Sequence, residues 1–198
     1  MGRYLNVRIH KVTCIDETGG WIAEKAGNDE MWLCGFSIDN ANNVSAIKPI
    51  SIYDNFDDGD VKRFASPAIF HQFYFDDTQT SAQNFAVAFV LVERDLTSTT
   101  GMTNYIRDAM STAKSNMIAY GSAMSPGSGQ QLSSWEKAAL KIGSWAKGVA
   151  HAFEDEFFPA VFRCCTITNG AVSDPYMEYF QVSAHDGTYK VEHDWFIS

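Results

Sequence analysis

The sequence contains no apolar run approaching the ~20 residues that a helix needs to cross a bilayer, so no transmembrane segment is expected. It is also short of cations. Lys and Arg number 15 against 24 Asp and Glu, giving a formal net charge of −9 and a pI near 4.9. Proteins that bind a phosphate backbone concentrate Lys and Arg to release counterions, so nucleic acid is excluded as an expected partner. The four cysteines, Cys14, Cys34, Cys164 and Cys165, include no C-x-x-C pair. In a strand the adjacent Cys164 and Cys165 point to opposite faces, which fits zinc poorly; at least two of the four are expected as small buried hydrophobes. The first residues, MGRYLNVRIHKV, lack the apolar segment of a signal peptide, and Asn6 stands where a myristoylation motif carries Ser or Thr. A soluble chain, cytoplasmic as encoded or exported without a cleaved signal peptide, is the expectation.

What is present is a globular composition. A 198-residue chain with 45% hydrophobic and 14% aromatic residues suffices for one sizeable core, and residues 1–198 are read as one domain. Leu5, Val7 and Ile9 alternate with Asn6, Arg8 and His10, the period-2 signature of a strand with one buried face. EMWLCGFSI reads as a second strand, and NNVSAIKPISIY as a third in which Pro49 marks an edge or a bend. AIFHQFYF and NFAVAFVLVE follow, the latter apolar at nearly every position and so expected in a sheet centre with both faces covered. AVFRCCTIT, YMEYFQVS and TYKVEHDWFI close the chain, the last two joined across the Asp-Gly turn signal of AHDGT. Strands that follow one another without helices argue for antiparallel sheets.

Between the fifth and sixth strands the period changes. Met102, Ile106, Ala109, Met110, Ala113, Met117 and Tyr120 recur at helical spacing, SPGSGQQ breaks the run, and Ser133 with Glu136 forms a capping box. The second stripe is Trp135, Ala138, Ala139, Ile142, Trp145, Ala146, Val149 and Phe153. A helical hairpin over 102–158 is therefore expected as an insertion in an antiparallel β-sandwich of about eight strands.

Acidic residues collect at expected strand ends. Asp16 and Glu17 end the first strand, Asp29 and Glu30 begin the second, and Glu93 and Asp95 end the fifth. YDNFDDGDVKRF adds Asp54, Asp57, Asp58 and Asp60. As an EF-hand loop that segment fails, because Phe56 occupies the third position and Ala65 the place of the bidentate Glu. LNVRIHKVTCIDETGG…NDEMWLCGF resembles the opening of a C2 domain, with NDEMWL in the place of the family's Asp-Pro-Tyr-like signature. The resemblance covers residues 3–39 and 85–97, and it departs at Glu30, at Glu93 in the Asp-x-Asp pair, and at the helical insertion. It implies Ca²⁺ ligation by Asp16, Asp29, Glu93 and Asp95, and makes calcium the expected cofactor. The turn of Asp57, Asp58 and Asp60 joins such a site only if it shares their rim. Carboxylates crowded at a rim repel one another unless a cation neutralises them; the alternative is that each points outward and is solvated.

A nucleophilic enzyme needs Ser or Cys beside a His oriented by a third group, and His10, His71, His151, His185 and His193 stand in no such frame. His10 is expected to face solvent from its strand and His185 to lie in a turn. The acids of HAFEDEFF sit against the helix dipole, as a fraying helix end permits. The resulting expectation is a non-enzymatic, calcium-dependent module that recognises a protein partner or lipid surface, in the setting of an exported bacterial protein or toxin. A structural subunit that forms homo-oligomers through the helical hairpin is the alternative, and a calcium-dependent hydrolase the third.

Overall fold

The computed structural model of the chain describes residues 2–17, 29–41, 43–93, 104, 156–172, 177–184 and 187–198. Ten strands are found there: β1 (Gly2–Asp16), β2 (Asp29–Ile38), β3 (Val44–Phe56), β4 (Val61–Asp76), β5 (Gln83–Glu93), β6 (Glu156–Phe157), β7 (Val161–Thr168), β8 (Ala171–Val172), β9 (Glu178–Ala184) and β10 (Gly187–Ile197). They form two antiparallel sheets. The first has the order β4-β1-β10-β9; the second has the order β3-β2-β5-β7-β8, with β6 paired to the far end of β5. Side chains from both sheets meet in one core that includes Leu5, Val7, Phe73, Phe89, Phe180 and Trp195. The mainly β, sandwich architecture expected from the alternation is thus present. No helix among the described residues is long and apolar enough to cross a membrane.

The helical hairpin expected over 102–158 falls, apart from residue 104 and its last three residues, outside the described residues. Its expected end needs correction. Glu156 and Phe157 are strand, paired with Glu93 and Val92, and Phe157 is buried with Cys34, Phe36 and Val92. Backbone pairing to β5 and an apolar neighbour on the same face together outweigh continuation of the helical period.

Local irregularities account for the other differences. β1 reaches Asp16, as the reading has it, but the alternation of Leu5, Val7 and Ile9 does not simply continue: a bulge at His10 resets the buried face. Without the bulge, strict alternation after Ile9 turns Lys11 and Thr13 inward; with it, Val12 and Cys14 enter the core. β3 is an edge strand, as Pro49 requires, and its ladder with β2 shifts register between Leu33–Ile50 and Gly35–Ile47. β5 is central and buried along nearly its whole length. Phe85, Val87, Phe89 and Leu91 face the other sheet, while Ala86, Ala88, Val90 and Val92 belong to a second apolar cluster on the outer face. Cys165 and Cys164 divide between these two faces in the same way, and Cys14, Cys34 and Cys165 are buried free thiols. Burial pushes the Cys34 thiol up, so it stays protonated and inert.

Gly35 pairs with Phe89 across the β2–β5 ladder, and a Cβ at this position would overlap the Ala88 carbonyl oxygen and crowd the Phe70 ring. The obstacle is backbone in a central strand, which has nowhere to move. Gly35→Ala is therefore expected to destabilise the fold by about 3 kcal/mol, toward the upper end of overpacking costs. The urea midpoint should fall with an unchanged m-value.

Candidate functional site

The ladders fix which acidic residues share an end of the sandwich. Asp16 pairs with Thr188 near the start of β10, and Thr13 pairs with Val61 at the start of β4. In the second sheet Asp29 pairs with Phe56, and Glu93 pairs with Met31 and Glu156. The turn between β3 and β4 crosses from one sheet to the other, so these strand ends lie on one rim. Asp16, Asp29, Glu93 and the turn of Asp57, Asp58 and Asp60 are all on it; Asp95 and the side chain of Asp29 lie outside the described residues.

The turn is tied to the end of β1 by backbone and side-chain bonds. The Cys14 amide donates to the Asp60 carbonyl at 2.9 Å, and the Glu17 amide donates to Asp58 Oδ1 at 2.8 Å. Within the turn the Asp58 amide donates to Asp57 Oδ1 at 2.8 Å, the Asp57 amide to Asp60 Oδ2 at 3.3 Å, and the Asp60 amide to the Asp57 carbonyl at 2.9 Å. Gly59 takes φ of 81°, a left-handed conformation that glycine adopts without a Cβ clash. Asp, Asp, Gly and Asp recur here for a structural reason: short carboxylates satisfy the free amides of a tight turn.

Glu93 differs from these exposed acids. It is only 8% exposed and shares the inward side of β5 with Leu91 and Phe89, placing a carboxylate at the mouth of the space between the sheets. Asp16 is exposed at the end of β1. Among the described residues no group of three or more His, Cys, Asp or Glu side chains is placed to hold a metal ion. The described carboxylates alone therefore do not complete the six to eight oxygen ligands that Ca²⁺ takes.

Charged residues not singled out in the sequence form a second constellation on the outer face of the first sheet. Arg8 Nε donates to Asp194 Oδ1 at 2.9 Å and its Nη2 to Oδ2, while His10 Nε2 lies 3.1 Å from the same carboxylate. Arg8 also lies over the Phe196 ring at 4.0 Å, and Lys11 and Lys190 both approach Glu192, at 2.6 and 3.9 Å. His10 is half-buried against Asp194 rather than simply facing solvent. The remaining surprise is His193, which lies in the interior; the alternation of Tyr189, Val191, His193 and Trp195 carried that signal.

No protein-family model matches the sequence, and no curated protein matches it.

The turn's tie to β1 is directly testable. Asp58→Ala removes the acceptor for the Glu17 amide, and the loss is expected to be about 1 kcal/mol, the net worth of one hydrogen bond. Chemical denaturation in chelator should show this shift, because the bond joins the turn to the end of β1 without a metal.

Proposed function

We propose that the chain is a non-enzymatic, C2-like binding module that holds Ca²⁺ at its acidic rim and recognises a protein partner or lipid surface through it. The observation that carries this reading is the convergence of the ends of β1, β3 and β5 and the starts of β2, β4 and β6, with Asp16, Asp29 and Glu93 among them. The ligands in this reading are Asp16, Asp29, Glu93 and Asp95. Asp57, Asp58 and Asp60 stand beside the ion and add to the negative potential that attracts it, with one oxygen of each carboxylate already engaged by an amide. Bound divalent cations must offset, and locally reverse, the charge of the rim before an acidic protein approaches anionic lipid. The helical hairpin of this reading is confined to the part of the 102–158 segment that precedes β6.

Calorimetry tests the metal directly. Ca²⁺ should bind the intact chain, and Asp29→Asn or Asp95→Asn should weaken binding by about tenfold, equivalent to about 1.4 kcal/mol. The melting temperature should rise with free Ca²⁺ by mass action, with a gain of about 2.7 kcal/mol at one hundred times Kd. No heat and no thermal shift at millimolar Ca²⁺ would remove calcium from the reading.

Liposome co-sedimentation tests the surface. Vesicles with anionic headgroups should pellet the protein only with Ca²⁺, and less so as salt rises. Equal pelleting in chelator contradicts the proposed charge reversal, and no pelleting in either condition assigns the rim to a protein partner.

A further inference from the structure

His193 lies on the inward side of β10, fully buried. Its ring centroid is 5.1 Å from that of Phe89 in the second sheet and 5.7 Å from that of Phe180 in its own. Among the described residues neither ring nitrogen has a hydrogen-bond partner, and Glu178 Oε2 stands 3.6 Å from Nε2, beyond hydrogen-bonding distance. A neutral imidazole survives there at modest cost. A charged one finds only Glu178 as a counterion, at a carboxylate oxygen that Arg163 already approaches at 3.5 Å, and the aromatic rings around it offer no acceptor.

The same corner joins the sheets. β9 is the edge strand of the first sheet, laddered only to β10, with Glu178 directly paired to His193. Arg163 reaches it from β7 of the second sheet. Its Nε lies 3.5 Å from Glu178 Oε2, its Nη2 donates to the Tyr179 carbonyl at 3.4 Å, and its guanidinium carbon is 5.7 Å from the centre of the Phe180 ring. On the opposite side of the sandwich the chain crosses between the sheets at the β3–β4 turn; here it crosses from β8 to β9, and the guanidinium and aromatic contacts pack β9 against the second sheet.

We propose that His193, Glu178 and Arg163 form an acid-released latch that holds β9 against the second sheet while His193 is neutral and frees it when His193 takes up a proton. Protonation places a second cation beside the carboxylate that Arg163 already uses. The groups facing His193 are Arg163 from β7, Glu178 from β9, its chain neighbour Asp194 on β10, and His10 from β1; β5 contributes the Phe89 ring. Burial, followed by Arg163, pushes the His193 imidazole down to about 4, and His10 works in the same direction. Asp194, whose influence ranks after that of Arg163 and above that of His10, opposes them from the outer surface, where Arg8 and His10 approach it.

The sign follows from which state takes the proton first. An opened β9 exposes His193 to water, where its ordinary value is about 6.5. The latch is therefore at full strength above pH ~6.5, weakens as pH falls from there to about 4, and changes no further below. Between pH 7 and 4 the opening equilibrium rises about 100-fold.

Amide hydrogen exchange read by mass spectrometry on the intact chain between pH 7 and 4, corrected for intrinsic rates, tests the latch. Protection of 178–184 should fall by about 100-fold, ahead of β1 and β5. His193→Phe should hold that protection constant across the window, and Arg163→Met should lower it already at pH 7. Simultaneous loss in all strands, or an undiminished fall in His193→Phe, overturns the proposal. Should His193→Phe not fold, His193→Gln serves in its place, and an NMR titration of the wild-type ring decides independently: a midpoint at 6.5 overturns the latch, and one near 4 tracking the opening of β9 supports it.

Discussion

Phe89 is the point at which the two sheets are held together. It projects from the central strand of the second sheet, and its ring lies 4.9 Å from Phe70 on β4, 5.0 Å from Phe180 on β9 and 5.1 Å from His193 on β10. One side chain thereby contacts three strands of the opposite sheet, including both of its edges. The constraint propagates to Gly35, the direct ladder partner of Phe89, because the Phe70 ring stacked on Phe89 lies over the space left by the missing side chain. An aromatic covering a strand glycine restores the buried area that glycine fails to supply. Phe73 repeats the arrangement nearby, 5.0 Å from Phe85 and 6.2 Å from Trp195.

With the interior closed by aromatic rings, charge is driven to the rim and the outer faces, and each location treats it differently. At the β3–β4 turn, carboxylates accept amide protons, so their function in the fold is local geometry. On the outer face of the first sheet, acids alternate with bases across strands: Asp194 is shared by Arg8 and His10, and Glu192 by Lys11 and Lys190. Burial acts to raise the Asp194 carboxyl, yet the Arg8 and His10 hydrogen bonds hold it below the usual carboxylate range. Glu93, on the rim, is buried at the end of β5.

The sandwich was legible in the sequence because half-buried strands must alternate and a doubly covered strand must not; β2, β5, β7 and β10 all follow this. Two-residue strands such as β6 and β8 leave no period to read. The bulge at His10 was illegible for a related reason: alternation before and after it is regular, and only pairing with β4 and β10 reveals the residue between. Of the candidate site, the clustering of acids at strand ends was legible, and the common rim followed once the strand directions were known. The latch was missed because Arg163, Glu178 and His193 come from three strands in two sheets, and their proximity has no linear signature.

The sequence by itself determined the antiparallel β character, the central position of NFAVAFVLVE and the excess of acid over base, since each follows from backbone geometry or composition; that Pro49 marks an edge rather than a bend came from the sheet order. Tertiary structure alone decided that the Asp57–Asp60 turn shares an end with Asp16 and Glu93, that its carboxylates are engaged by amides, and that a histidine occupies the interior beside a guanidinium from the other sheet. The physical reason is range: alternation and turn chemistry act over a few residues, whereas the pairing of one sheet with the other is set by how aromatic side chains distant in sequence fill a shared interior.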